Sequence, residues 1–275
     1  MTALIGWIGV DERRPCSAYL MSDSRISWKG STSRYDYGRK LFALRNNPDV
    51  LGYCGDVLFP SHVLSQIYEL DCNGLLFPAA ASSNEKSNIV FNQLQKQFLG
   101  YPTNLRNQVS IYHFSRDTDL SFQAFCYWYS PLSGLWERKV LEIEGSKSSL
   151  VICDGSGILE FKALYAKYQN GDIAGTSRNL FQCFCDYLHQ TKDITCGGPP
   201  QLVGLYNGKK FNGMSFGIIY GGATYFCGSP CSSEQSNGAV RWYNENFEIC
   251  DGTSLKRETG AMRQPNPNRL NLATP

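Results

Sequence analysis

The second residue of the chain, Thr2, could act as a nucleophile once the initiator Met1 is removed. Its small side chain permits that removal, which leaves a hydroxyl and a free α-amine on one residue. A threonine hydroxyl attacks a carbonyl only if a base takes its proton, and an α-amine, with a pKa of about 8, is a base at neutral pH. Taken alone, Thr2 could also be an ordinary residue that follows the start codon. The other residues that could join it in a site must distinguish a nucleophile from that alternative.

Three more residues stand at the ends of predicted strands. Asp23 ends the second strand in SDSR, Lys40 opens the third in RKLFAL, and Gly55 closes the fourth in GYCGD. Side chains at the strand ends of one sheet can converge, here beside the N-terminus. Without that convergence, Asp23 is compatible with a turn residue and Lys40 with an exposed lysine at a strand edge.

Two later segments carry similar residues. Ser156 lies in DGSG, where a strand gives way to a helix, and Asp193 precedes Cys196 in DITCGG. Ser156 is also compatible with the N-cap of the next helix. The segment does not fit the G-x-S-x-G nucleophile elbow, because glycines flank Ser156 directly on both sides.

In their order along the chain, these residues and motifs resemble proteasome β-subunits and the bacterial HslV-type peptidase. The resemblance to this N-terminal nucleophile (Ntn) hydrolase family extends over about residues 2–227 and suggests a divergent bacterial-type member. The first hairpin is longer than in the family, and Cys196 stands where the family has serine.

The resemblance implies a threonine-type endopeptidase. The hydroxyl of Thr2 attacks a peptide carbonyl, with its own α-amine as the base. Lys40 favours the alkoxide and Asp23 holds the Lys40 ammonium. The backbone N–H of Gly55 donates to the developing oxyanion.

The resemblance also implies roles for four further residues. Ser156, Asp193 and Cys196 orient the α-amine, although the thiol of Cys196 is a weak hydrogen-bond donor. Tyr53, two residues before Gly55, projects near the pocket that receives the substrate side chain.

The expected partners follow from the same resemblance. They are a peptide or unfolded protein substrate, further copies of the chain in a self-compartmentalised homo-oligomer, and a separate ATPase unfoldase. The chain itself has no G-x-x-x-x-G-K-[ST] segment for a nucleotide phosphate. Two alternatives stay open: a catalytically silent structural or interaction subunit of the same fold, and an Ntn amidase that acts on a small amide.

The predicted elements alternate between strands and helix pairs. Strands are predicted at 3–10, 17–22, 40–44, 50–54, 108–114, 121–128, 135–143, 149–153, 201–206, 214–220 and 223–226, and helices at 57–70, 88–99, 159–168 and 177–189. This order predicts an α+β fold, a four-layer αββα sandwich of two sheets between two helical layers. One domain is expected over residues 2–231, followed by a partly disordered C-terminal extension over 232–275 with a mobile tail from 260.

Composition excludes several classes of function. The net charge of +2 offers no case for a nucleic-acid partner. No apolar run approaches the length of about 20 residues that a membrane span needs, so we expect no membrane partner and a cytoplasmic location. The 11 cysteines suit reduced, buried thiols. The three histidines have no metal-ligand spacing, so neither a metal nor another cofactor is expected.

Overall fold

A computed structural model of the chain describes residues 2–11, 14–28, 30–232 and 239–261. Its strands are β1 Ala3–Asp11, β2 Arg14–Ser22, β3 Ile26–Ser27, β4 Arg34–Tyr35, β5 Leu41–Ala43, β6 Asp49–Gly55, β7 Val109–Arg116, β8 Phe122–Ser130, β9 Leu135–Leu141, β10 Ser149–Gly155, β11 Gln201–Tyr206, β12 Met214–Tyr220, β13 Ala223–Phe226, β14 Ser229–Pro230, β15 Trp242–Asn244 and β16 Ile249–Cys250. Its α-helices are α1 Leu58–Cys72, α2 Ser83–Leu99, α3 Ile158–Tyr168 and α4 Ser177–Gln190. None of these helices is long and apolar enough to cross a membrane.

The strands form two large sheets and one short ribbon. The first sheet has nine strands, in the order β10-β1-β2-β11-β12-β13-β14, with β15 beside β12 and β16 beside β15. The second sheet has the order β5-β6-β7-β8-β9, and β3 pairs with β4. Within the described ranges, every pairing is antiparallel except that of β12 with β15.

The predicted fold class, an α+β four-layer αββα sandwich, is wrong. About 35% of the described residues lie in strands and 24% in helices, so the chain is a β-rich fold of mostly antiparallel sheets with four α-helices. The periodicity of the sequence identifies single elements and carries no information on how they are layered. It also missed the short strands that enlarge the first sheet.

Alternation along β1 directs its side chains into two hydrophobic clusters. Ile5 and Trp7 face a cluster shared with α3 and α4, whereas Leu4 and Ile8 face a cluster shared with the second sheet. Successive side chains of a strand point to opposite faces, so a strand buried on both faces is apolar throughout. β1 is therefore a central strand, and its first residues are held firmly in place.

The first hairpin is confirmed, with β1 and β2 paired from Leu4 opposite Ser22 to Asp11 opposite Arg14. Helix α2 begins at Ser83, five residues before the predicted start. The side chain of Ser82 accepts a hydrogen bond from the N–H of Glu85, whose side chain accepts one from the N–H of Ser82. This capping box satisfies N–H groups in the first turn of the helix and fixes where it begins.

Part of the segment assigned to the C-terminal extension belongs to the first sheet. β15 pairs in parallel with β12, and its Trp242 is buried. The predicted mobile tail from 260 lies largely outside the described residues, which end at 261.

Candidate functional site

The carboxylate of Asp23 is the centre of a buried polar cluster just after β2. Its Oδ1 accepts from Nζ of Lys40 at 2.7 Å and from the N–H of Ala3 at 3.1 Å. Its Oδ2 accepts from the N–H of Gly197 at 3.0 Å and of Arg25 at 3.3 Å. Neither Asp23 nor Lys40 has exposed side-chain surface. Four donors, one of them charged, therefore compensate the desolvation of this carboxylate.

Thr2 lies at the edge of this cluster, directly before β1. Ala3 pairs with Gly155 in the antiparallel register of β1 and β10, which places Thr2 beside the start of the DGSG turn. A side chain on Gly155 would collide with the carbonyl oxygen of Thr2, and its φ of +120° also favours glycine. Thr2 is fully buried in the chain that begins with Met1.

Gln201, the first residue of β11, positions Lys40 from the other side. Its Oε1 accepts from the backbone N–H of Lys40 at 3.1 Å. Its Nε2 donates to Oγ of Ser24 and to the carbonyl of Gly38, both at 2.8 Å. Gln201 is buried, so this amide fixes the backbone that carries the lysine. Sequence reasoning missed it; the only signal was a glutamine at the start of an apolar strand.

Gly55 ends β6 in a conformation that requires glycine. Its φ is +99°, and a Cβ there would lie 2.6 Å from the carbonyl oxygen of Gln108. Burial raises the pKa of the preceding Cys54 thiol, and the charges of Lys40 and Asp23 also act on that thiol. The end of β6 thus lies within electrostatic reach of the buried ion pair.

Tyr53 adjoins Lys40 through the backbone, but its ring packs elsewhere. Its N–H donates to the carbonyl of Lys40 at 3.3 Å. The ring belongs to the hydrophobic cluster beneath α1 and α2, and its hydroxyl donates to the carbonyl of Arg39 at 3.1 Å. Tyr53 has no exposed surface, and burial raises its pKa. Its contact with a substrate side chain stays a prediction.

Ser156, Asp193 and Cys196 meet in a second group of polar side chains. Oγ of Ser156 lies 3.5 Å from Sγ of Cys196, which donates to Oδ2 of Asp193 at 3.5 Å. Thr195, which sequence reasoning did not single out, joins them: its hydroxyl lies 2.9 Å from Oγ of Ser156 and donates to Oδ1 of Asp193 at 2.6 Å. Cys196 precedes Gly197, whose N–H binds Asp23, so the two groups are adjacent.

Burial and hydrogen bonding shift the pKa values of Cys196 and Asp193 in opposite directions. Burial raises the pKa of the Cys196 thiol, and the charge of Asp23 raises it further. Burial also raises the pKa of Asp193, but hydrogen bonds from Thr195, Ser156 and Cys196 together outweigh this and lower it overall. At neutral pH the group therefore pairs a neutral thiol with a carboxylate.

Arg25 anchors the segment that carries Asp193 and Cys196. Its guanidinium binds both oxygens of Asp36, at 2.6 and 2.8 Å, and donates to the carbonyls of Ile194 and Cys196 at 3.2 and 3.0 Å. The hydrogen bond from Arg25 lowers the pKa of Asp36. Sequence reasoning also missed these contacts of Arg25, because the two carbonyls lie 169 and 171 positions away in the chain.

A cavity of about 370 Å³ opens beside this segment, lined in part by Arg25, Asp36, Asp193, Cys196 and Gly197. Thr2, Lys40 and Gly55 are not among its lining residues. The cavity therefore reaches the second group of side chains directly, and it reaches the buried ion pair through Gly197 and Arg25, whose N–H groups donate to Asp23.

No cluster of three or more histidine, cysteine, aspartate or glutamate side chains suited to a metal ion occurs among the described residues.

Comparison with known proteins identified no matching family model and no matching curated protein. The family resemblance therefore rests on the sequence motifs alone.

Proposed function

We propose that the chain is an N-terminal threonine hydrolase that cleaves peptide bonds, with Thr2 as the nucleophile after removal of Met1. One observation carries the proposal: the ammonium of Lys40 and the N–H of Ala3 donate to the same oxygen of the fully buried Asp23. A buried cation is thereby held next to the residue that follows Thr2.

A buried ion pair contributes little net free energy to the stability of a fold. Desolvation of the two charges costs about as much as their attraction returns, and apolar side chains of similar volume often stabilise a core equally well. Ionisable groups buried together are typical of sites that must stabilise charge during a reaction. Lys40 and Asp23 fit that use, because the hydrogen bond to Asp23 fixes the position of the Lys40 side chain.

The chemistry assigned to these residues is acyl transfer. The α-amine of Thr2 takes the proton of its hydroxyl as Oγ attacks the carbonyl carbon, and Lys40 stabilises the oxygen that loses the proton. The N–H of Gly55 donates to the carbonyl oxygen as it becomes an oxyanion, a contact worth roughly 100-fold to 1,000-fold in rate in other hydrolases. The amine returns the proton to the leaving nitrogen as the C–N bond breaks. Water then cleaves the ester by the same route and restores the hydroxyl.

The second group of side chains orients the amine. Ser156 follows Gly155, which pairs with Ala3, and Ser156 contacts Cys196, whose thiol donates to Asp193. Thr195 adds the hydroxyl link between Ser156 and Asp193. We propose this chain of contacts as the support of the base, with peptides or unfolded proteins as substrates within a homo-oligomer, served by a separate ATPase unfoldase.

A catalytically silent subunit is the second candidate. The observation in its favour is that Thr2 has no exposed surface. Activity therefore requires that removal of Met1 uncovers Thr2.

Peptide hydrolysis by matched variants separates the two candidates. Intact mass first establishes whether Met1 is absent from the purified protein. Thr2→Ala should then abolish turnover of fluorogenic peptides, and Thr2→Ser should retain part of it because the hydroxyl remains. Thr103→Ala, at an exposed position, is the control and should match the parent. Undiminished hydrolysis by Thr2→Ala would place the chemistry elsewhere, and a processed parent with no hydrolysis would favour the silent subunit.

A further inference from the structure

A second cavity lies at the opposite end of β6 from Gly55. It measures about 430 Å³, within the range of small-molecule sites, and includes Asn47 and Pro48, just before β6 begins at Asp49. The seven residues of β6 span about 20 Å, which separates this cavity from the candidate catalytic site. A function for this cavity is therefore independent of the proposed hydrolase.

The cavity has an excess of cationic side chains. Lys86, Arg116 and Lys209 line it, whereas Asp117 is the one acidic residue among its described lining. Asp117 is already engaged, because its two oxygens accept from the N–H of Ser83 and from Nε2 of Gln123, both at 2.8 Å. Neither of these donors is a cation of the cavity.

Two of the three cations have no carboxylate partner within the described ranges. Lys86 donates to Asp49 at 2.9 Å, and Asp49 also binds His113. Arg116 and Lys209 form no ion pair in the same ranges, and Lys209 is exposed to solvent. An anion that entered the cavity would therefore meet positive charge that the fold leaves uncompensated.

Arg116 is a buried cation of this site whose hydrogen bonds are incomplete. It is 5% exposed, and one terminal nitrogen donates to the carbonyls of Tyr206 and Phe211 at 2.5 and 2.7 Å. Its Nε has no hydrogen-bond partner, although that atom is buried. A buried guanidinium with an unused donor costs free energy unless a ligand supplies an acceptor. The two carbonyl contacts hold it in place before any ligand arrives.

The remaining lining combines polar residues with apolar ones, and the apolar ones include Phe77, Pro78 and Leu120. A bare inorganic ion would leave this surface without a contact, whereas a small organic anion would cover it. We propose that the cavity binds a small monocarboxylate with an aliphatic or aromatic body. Its carboxylate pairs with Arg116 and Lys209, and its body packs against the apolar residues.

Calorimetric titration with benzoate tests this proposal on the full chain. We expect saturable binding that weakens with added salt, whereas acetate and inorganic phosphate bind less tightly because they lack the apolar body. Arg116→Gln should weaken benzoate binding about tenfold through the lost charge-assisted hydrogen bonds. Lys209→Glu should weaken it as well; since this side chain is exposed, that variant tests the site without risk to the fold. Lys210→Glu, at the neighbouring exposed position outside the cavity, is the matched control.

Three results would overturn the proposal. They are the absence of saturable benzoate binding by the parent, equal binding by Lys209→Glu and Lys210→Glu, and tighter binding of phosphate than of benzoate. The last result would replace the organic anion with an inorganic one.

Discussion

The ammonium of Lys40 lies 2.7 Å from Oδ1 of Asp23, and neither side chain is exposed to solvent. The N–H of Ala3 reaches the same oxygen, and the N–H of Gly197 reaches the other. One carboxylate therefore ties the start of β1 to the lysine and to the segment that carries Asp193 and Cys196.

Removal of one partner of the buried pair should be costly, and removal of both charges less so. Lys40→Met leaves Asp23 buried without its cation, at a cost of about 3–5 kcal/mol in the free energy of unfolding. Lys40→Met combined with Asp23→Asn should be more stable than Lys40→Met alone, since no charge then stays uncompensated. Urea denaturation measures both. Glu245→Gln, in the exposed pair with His189, should cost only about 0–1 kcal/mol. An equal loss of unfolding free energy in Lys40→Met and in Glu245→Gln would contradict the assignment of Lys40 and Asp23 as a buried ion pair.

The variant that lacks both charges should regain stability without regaining catalytic activity. The double variant, Lys40→Met with Asp23→Asn, should remain folded and yet fail to hydrolyse peptides, because the nucleophile then lacks a neighbouring ammonium. Glu245→Gln should hydrolyse peptides at the rate of the parent. Assays of kcat/KM on proteins confirmed as folded by circular dichroism decide the matter. Parent-like hydrolysis by the double variant would make the pair purely structural.

Cys196 should resist alkylation at neutral pH. Burial raises the pKa of its thiol, so the reactive thiolate is scarce, and the side chain is 1% exposed. Iodoacetamide at pH 7.5 should leave Cys196 unmodified in the native protein and modify it after denaturation, as peptide mass mapping would show. The partly exposed Cys72 serves as the reactive control. Preferential labelling of Cys196 in the native state would indicate a nucleophilic thiol and contradict its role as a weak orienting group.

The Arg25–Asp36 pair should add stability that acid removes. The hydrogen bond from Arg25 lowers the pKa of Asp36 below its value in the unfolded chain, about 3.9. A lowered pKa contributes stability above about pH 4, and this contribution is lost as the pH falls through the folded-state value. Arg25→Gln should therefore be less stable than the parent at pH 7, by an amount that shrinks towards pH 3. The effect should be modest because both side chains are partly exposed. A difference that stays constant from pH 7 to pH 3 would show that only the carbonyl contacts of Arg25 matter.

The elements that the sequence predicted well are those with a strong local signal. β1 and β2 combine apolar runs with a charged connection, and α4 begins at the predicted residue, with Thr176 as its N-cap. The start of α2 was placed too late because the prediction followed the apolar spacing and overlooked Ser82 and Glu85. β15 has no local signal, since it is three residues long and exists through its parallel pairing with β12.

The residues of the candidate site also differ in how well a local sequence signal predicts them. Thr2, Asp23 and Lys40 stand at strand ends, and strand ends can be predicted from patterns of apolar residues. Gln201 and Arg25 act through hydrogen bonds to residues far away in the chain, which no local pattern encodes. The layer order of the fold was predicted wrongly for the same reason, because it depends on long-range packing.

Covalent labelling of the processed protein by a peptide epoxyketone tests the central claim most directly. Such a reagent needs a hydroxyl and a free α-amine on one residue to form its ring adduct. The account predicts a single adduct on Thr2 by intact mass and peptide mapping, with no adduct in Thr2→Ala or in protein that retains Met1. Absence of an adduct on processed Thr2, or an adduct that persists in Thr2→Ala, would contradict it.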